Sequence, residues 1–213
     1  MQYLDFAGIF ISFIVLLFSL TVHEMAHAWT ADRFGDPTAR LLGRVSLNPI
    51  VHADPIGTVV FPLLSLATGA MLIGWAKPVP VNLRLLRHPR RDYMLVAAAG
   101  PISNLLLALF AALLLAIVPV SPQLVGESNV SVPVVKLLVG LVNLNVLLAV
   151  FNLLPIPPLD GSNVLAGLLP PNLAAVFNQL RPYGFVLLYA LILTPAFSYI
   201  VIPPYRFIVS WLL

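Results

Sequence analysis

His23-Glu24-Met25-Ala26-His27 sets two imidazoles four residues apart, with a carboxylate next to the first. On an α-helix, positions i and i+4 share one face about a turn apart, so both rings can reach a single metal ion. Glu24 can take a proton from water held at that ion. Such a trio points to metal-assisted hydrolysis. Five residues are a modest signal by themselves, but their surroundings sharpen it. The chain from Phe6 to about Trp29 is nearly all apolar, and a charged residue at mid-membrane costs roughly 2.5–3.5 kcal/mol, so ionisable groups tend to persist there for function. The bland alternative is a His23–Glu24 hydrogen bond that packs one helix against another.

A catalytic zinc normally takes three protein ligands and keeps one position open. Cysteine is absent, which excludes thiolate ligands, thiol nucleophiles and disulfides together. Of eight acidic residues, Asp5, Asp32, Asp36, Asp54, Asp92 and Glu127 fall in termini or polar connections, which leaves Asp160 beside Glu24 itself. Asp160 follows Pro155, Pro157 and Pro158 and precedes Gly161, a sequence that interrupts a helix and allows close approach of backbone. It could instead cap a short helix over Ser162 to Leu169. His52 and His88 lie in basic connections and read as surface or headgroup residues, His52 being the one that could approach the site.

These residues must be positioned by membrane-spanning elements. The 213 residues are 60% hydrophobic and only 9% charged, with a mean hydropathy of +1.00, values outside the range of soluble globular chains. A net charge of +3 could suggest nucleic acid, but the eleven basic residues gather mostly in two short connections, a pattern of membrane topology. No nucleic-acid partner is expected. Apolar runs from Phe6 to Trp29, Leu95 to Val118 and Val134 to Leu154 are each long enough to span. Ile56 to Trp75, broken by Pro62 and Gly69, lies between Arg33, Arg40 and Arg44 on one side and Lys77, Arg84, Arg87, Arg90 and Arg91 on the other. Two basic flanks on the same membrane face predict that it dips in and returns. Alternation over Leu42 to Leu47 suggests short strands. The linker Pro119 to Val132 has no Lys or Arg and should face the opposite side. A final apolar region, Tyr183 to Leu213, is interrupted by Pro195 and Pro203-Pro204. The expected fold is an all-α polytopic membrane protein of about 4–6 transmembrane helices, with a short β-hairpin or re-entrant segment after the first. It forms one domain over residues 1–213, with a core at about 6–169 and C-terminal helices at about 183–213.

Three separated motifs resemble the site-2 proteases, intramembrane zinc metallopeptidases of peptidase family M50. His23-Glu24-x-x-His27 matches that family's zinc histidines and catalytic glutamate, and Leu159-Asp160-Gly161 matches its third ligand. Gly100-Pro101-Ile102-Ser103-Asn104 is similar to its GPxxN element, and Asn152 matches an asparagine the family places near its active site. No PDZ or CBS domain is visible, so the chain resembles a minimal catalytic core.

The resemblance implies one zinc ion held by His23, His27 and Asp160, with Glu24 as proton shuttle. Asn152 could donate to the developing oxyanion or to the substrate backbone, or form an interhelical hydrogen bond instead. Gly100 and Asn104 read as packing and helix-start residues rather than chemistry. The implied function is hydrolysis of peptide bonds within or near transmembrane segments of single-span membrane proteins. The implied location is the cell membrane, with the active site toward the cytoplasm. A divalent-metal transporter and a non-catalytic membrane adaptor are the alternatives. The first would need polar groups along the outer half of the first helix, where Phe10 to Phe18 carries only Ser12.

Overall fold

The computed structural model describes residues 6–62, 64, 75–118 and 131–213. Eleven helical elements are labelled in chain order: α1 Phe6–Arg33, α2 Thr38–Leu41, α3 Pro49–His52, the π-helical α4 Pro55–Val60, α5 Pro89–Ile117, α6 Ser131–Asn152, α7 Asp160–Leu168, α8 Pro171–Asn178, α9 Gly184–Leu193, α10 Ala196–Ile200 and α11 Ile202–Leu212. A single 3-10 turn, Arg181–Tyr183, joins α8 to α9. Among the described residues, four stretches are long and apolar enough to cross a membrane: Ala7–Arg33, Pro89–Ile117, Val132–Asn152 and Pro171–Leu193. The chain is a multi-pass, all-helical membrane protein, as its composition predicts.

The bundle is organised around α1, α5 and α6. Residue pairs that touch across α1 and α5 run in opposite order, His23 with Asn104 and His27 with Val96, so these helices are antiparallel. Across α1 and α6 the pairs rise together, Val15 with Gly140 and Ser19 with Asn145. Lipid is as apolar as leucine, so packing depends on close contact rather than on burial from water. Small residues supply that contact: Ala108, Ala111 and Ala112 of α5 face Val142, Val146 and Val150 of α6 in a core that also takes in Leu154 and Leu159. Packed outside them, α10 and α11 add Phe197, Tyr205 and Ile208.

The polar region after α1 is held to the segment before α5. Asp36 accepts Thr38 N at 3.0 Å and Asn82 N at 2.6 Å, while Arg87 N donates to Phe34 O at 3.1 Å. Leu42 to Leu47 forms turns, and no strand occurs among the described residues. Gly43, at φ +71°, takes the backbone out of the extended region. Arg44 tucks in to donate to Lys77 O at 3.4 Å, and among the described residues no second strand lies alongside to pair with the segment. The hairpin part of the expectation therefore gives way to a folded turn.

The interior of Ile56 to Trp75, residues 63 and 65–74, lies outside the described residues, but its ends do not. Asp54 caps α4 through Ile56 N and Gly57 N. Trp75 N then donates to Gly57 O at 3.1 Å, and Thr58 Oγ1 donates to Trp75 O at 2.8 Å. The two described ends of the run therefore lie side by side. The linker residues 119–130 also lie outside the description.

Because the chain has no cysteine, single cysteines report topology directly. Those replacing Arg40 and Arg87 are expected to react with an impermeant thiol reagent from one common face, and one replacing Val132 from the other. Reaction of Arg40→Cys and Arg87→Cys from opposite faces would require a full span between them.

Candidate metal centre

His23 and His27 occupy the last third of α1 and are nearly buried, at 5% and 8% exposure. Their rings meet edge to face with centroids 4.7 Å apart, and their Nε2 atoms are separated by 3.1 Å. Asp160 is the first residue of α7, where a helix N-terminus favours a carboxylate. Its Oδ2 lies 3.1 Å from His23 Nε2 and 3.3 Å from His27 Nε2. Leu159, rather than Asp160, stands at the capping position, and no side chain caps α7. The Asp160 side chain points into the bundle instead.

The opposite edge of each imidazole determines what faces this cluster. His27 Nδ1 is 2.7 Å from Val96 O. A carbonyl only accepts, so Nδ1 carries the proton and the Nε2 lone pair is directed at the cluster. Pro101 withdraws the donor that would have bonded the Ala97 carbonyl and loosens this turn of α5. His23 Nδ1 is 2.5 Å from Asn104 Oδ1. Asn104 Nδ2 donates to Asn145 Oδ1 at 2.6 Å, and Asn145 Nδ2 donates to Ser19 Oγ at 2.8 Å and Leu141 O at 2.9 Å. This buried chain leaves Asn104 Oδ1 to accept, so His23 also presents its Nε2 lone pair inward.

Three acceptors thus converge with no donor among them. Asp160 Oδ2 is buried and in hydrogen-bond geometry with neither ring, despite its proximity to both. A cation satisfies that arrangement. Tetrahedral zinc with ligand bonds of about 2.0–2.1 Å has ligand-to-ligand edges of about 3.3–3.4 Å, and the three edges here are 3.1, 3.1 and 3.3 Å. His23, His27 and Asp160 are the group of His, Cys, Asp or Glu residues among those described that could hold a metal. Their chemistry, two imidazoles and a carboxylate, fits zinc.

Two glycines make room for the cluster. A Cβ at Gly100 would fall on the facing edges of both imidazoles, and one at Gly161 would fall on the Leu153 and Leu154 carbonyls. The first lets α5 close over the rings. The second lets the turn after α6, which contains a cis Pro157–Pro158 bond, fold tightly against the start of α7. Leu154 and Leu159 anchor that turn in the main core.

Glu24 is half-buried beside the cluster, and its Oε2 accepts Val79 N at 3.2 Å. Asn152 donates from Nδ2 to Leu148 O of its own helix at 3.0 Å, so its amide is bonded within its own helix rather than to a neighbouring one. His52 is not a surface residue: it is 2% exposed, with Nε2 at 2.8 Å from Ser46 O, and it stays outside the cluster. It is buried because α3 folds back against α1 and its carbonyl accepts Lys77 N. His88 is exposed, as expected. Gly100, Asn104, Asn145, Ser19 and the Val96 carbonyl hold the histidines, a role not read from the sequence. The sequence signals for the asparagines were their expense inside apolar helices and, for Asn104, the GPxxN resemblance, neither of which tied them to the histidines.

Residues 11–192 match Peptidase family M50. The chain belongs to this family. It is 42% identical over 191 residues to a Bacillus subtilis protein described as "Putative zinc metalloprotease YwhC", an alignment spanning 89% of this chain and 83% of that one. Rip2 of Mycolicibacterium smegmatis, under the same description, is 33% identical over 92% of this chain and 71% of its own. Rip2 of Mycobacterium tuberculosis H37Rv is 34% identical over 92% and 72%. No solved structure gives a significant match. In this M50 peptidase the histidine-orienting chain should control metal affinity. Asn104→Leu keeps volume but neither accepts nor donates, and zinc titration against a competing chelator is expected to give affinity about 10–100-fold weaker. Unchanged affinity would remove Asn104 from that role.

Proposed function

We propose that this M50 peptidase is a zinc-dependent intramembrane endopeptidase, cutting peptide bonds within or next to the transmembrane segments of single-span membrane proteins. The observation that carries this reading is the convergence of three donor-less acceptors from α1 and α7, with Glu24 adjacent, inside a bundle of apolar spanning helices. In this reading residues 1–213 act as one membrane-embedded domain. The polar ends of α1 and α5, rich in arginine, lie on the cytoplasmic side of the cell membrane and carry the site with them.

His23, His27 and Asp160 are assigned as ligands. Zinc bound there supplies a Lewis acid for the scissile carbonyl and brings the pKa of water to about 7. Glu24 removes a proton from the attacking water and returns it to the leaving amine. Its bond to Val79 N holds the carboxylate against the segment at 75–82, which has no regular secondary structure. Asn152 donates to the substrate backbone or the developing oxyanion after its amide turns from the Leu148 carbonyl. A substrate helix hides its peptide groups in its own hydrogen bonds, so helix-weakening residues near the cut site favour cleavage.

Glu24→Gln retains shape and hydrogen bonding without basicity. Purified in detergent with a single-span test substrate, it is expected to lose about 10²–10⁴-fold in cleavage while keeping one zinc per chain. Near-normal cleavage would refute the assigned base, and a metal-transit protein would keep its flux. Asp160→Ala and Asp160→Asn should both lose zinc along with activity. Full zinc and full activity in both would take Asp160 out of the site.

A further inference from the structure

About ten residues along α5 from Gly100, and so about 15 Å from the metal centre, the start of α5 and the end of α7 enclose an open cleft. Its volume is about 720 Å³. Its walls are of two kinds. His88, Arg90 and Arg91 supply the polar part, and Met94 of α5 with Leu168 and Leu169 at the end of α7 supply the apolar part.

We propose that this cleft binds the phosphate of an anionic phospholipid headgroup, with the upper acyl chain against its apolar wall. Charge comes first. Arg90 and Arg91 are exposed, and neither forms an ion pair with a described carboxylate. The nearest acid in sequence, Asp92, is turned inward, buried at 3% exposure and engaged by His88 N at 2.7 Å. Its charge is directed into the protein and leaves the two guanidiniums facing outward. Paired guanidiniums present planar N–H forks that suit phosphate oxygens.

Position decides for a lipid over a free phosphate. At 29 residues α5 is about 43 Å long, against a hydrocarbon core of roughly 30 Å. The surplus lies at its charged start, which places Arg90 and Arg91 at headgroup depth. Leu168, 68% exposed at the mouth, then faces acyl chains. Gly167 lets α7 press on Met94, where a Cβ would collide with the Met94 side chain, so the apolar wall is continuous from one helix to the other.

The test uses the full zinc-loaded chain in neutral detergent, titrated with phosphatidylglycerol or phosphatidylcholine and read by native mass spectrometry. Phosphatidylglycerol should be retained selectively. R90Q/R91Q should weaken that retention about 10–30-fold, as expected for two basic contacts, and zinc content reports that the variant is folded. Leu168→Glu, at an exposed position, should weaken it too by placing an anion at the mouth. R84Q/R87Q, outside the cleft, should leave it intact. Equal retention of both lipids would overturn the proposal. So would equal losses in the two arginine pairs, the mark of diffuse surface charge, or complete displacement by millimolar inorganic phosphate.

Discussion

Three acceptors that face one another in a membrane interior are the constraint on which the rest of this structure depends. His23 Nε2, His27 Nε2 and Asp160 Oδ2 stand 3.1–3.3 Å apart, and neither lipid nor neighbouring side chains offer them a proton. Left to themselves they would repel and turn away. Each is therefore held from behind: His27 by the Val96 carbonyl, His23 by Asn104, and Asp160 by the first turn of α7. A cation among them, a proton or a metal ion, relieves that repulsion, and the spacing of the three atoms is one that could hold a metal.

That preparation explains features of the bundle that packing alone would not require. An apolar helix interface has no need of Asn104, Asn145 and Ser19 in one buried chain, and a polar group buried in hydrocarbon without a partner is costly. Each amide group in the chain has a partner, which converts an expense into a rigid link across α1, α5 and α6. Gly100 belongs to the same arrangement, since any side chain there would occupy the space the imidazoles share. Small residues along α5 thus serve both the core and the site.

At the basic end of the bundle, α2, α3 and the segment at 75–82 are pinned by Asp36, Arg44, His52 and the Trp75 contacts, so the polar region is a folded part of the site's surroundings. It brings Val79 N to Glu24 from 55 residues away. Glu24 is consequently tied to the segment at 75–82, and its position responds to how that segment sits.

Although the last long apolar stretch is Pro171–Leu193 rather than the expected Tyr183 to Leu213, the sequence by itself determined the first three long spans and the helical spacing of His23 and His27, and it singled out Asp160, which the fold brings beside them. Each of these is local or compositional: length and hydropathy identify a span, a 3.6-residue period aligns i with i+4, and elimination among eight acids leaves one candidate. What only the tertiary structure decided are relations between distant segments. Asn104 lies 81 residues from His23 and Ser19 lies 126 from Asn145, so no periodicity connects them, and Gly100 could be read as a packing residue until the imidazoles were seen above it. The same limit turned the expected strand at Leu42 to Leu47 into a turn and moved His52 from the surface to the interior. A strand needs a partner, and burial depends on what folds over a residue; both are settled by which distant segments meet, a choice the local pattern of side chains does not contain.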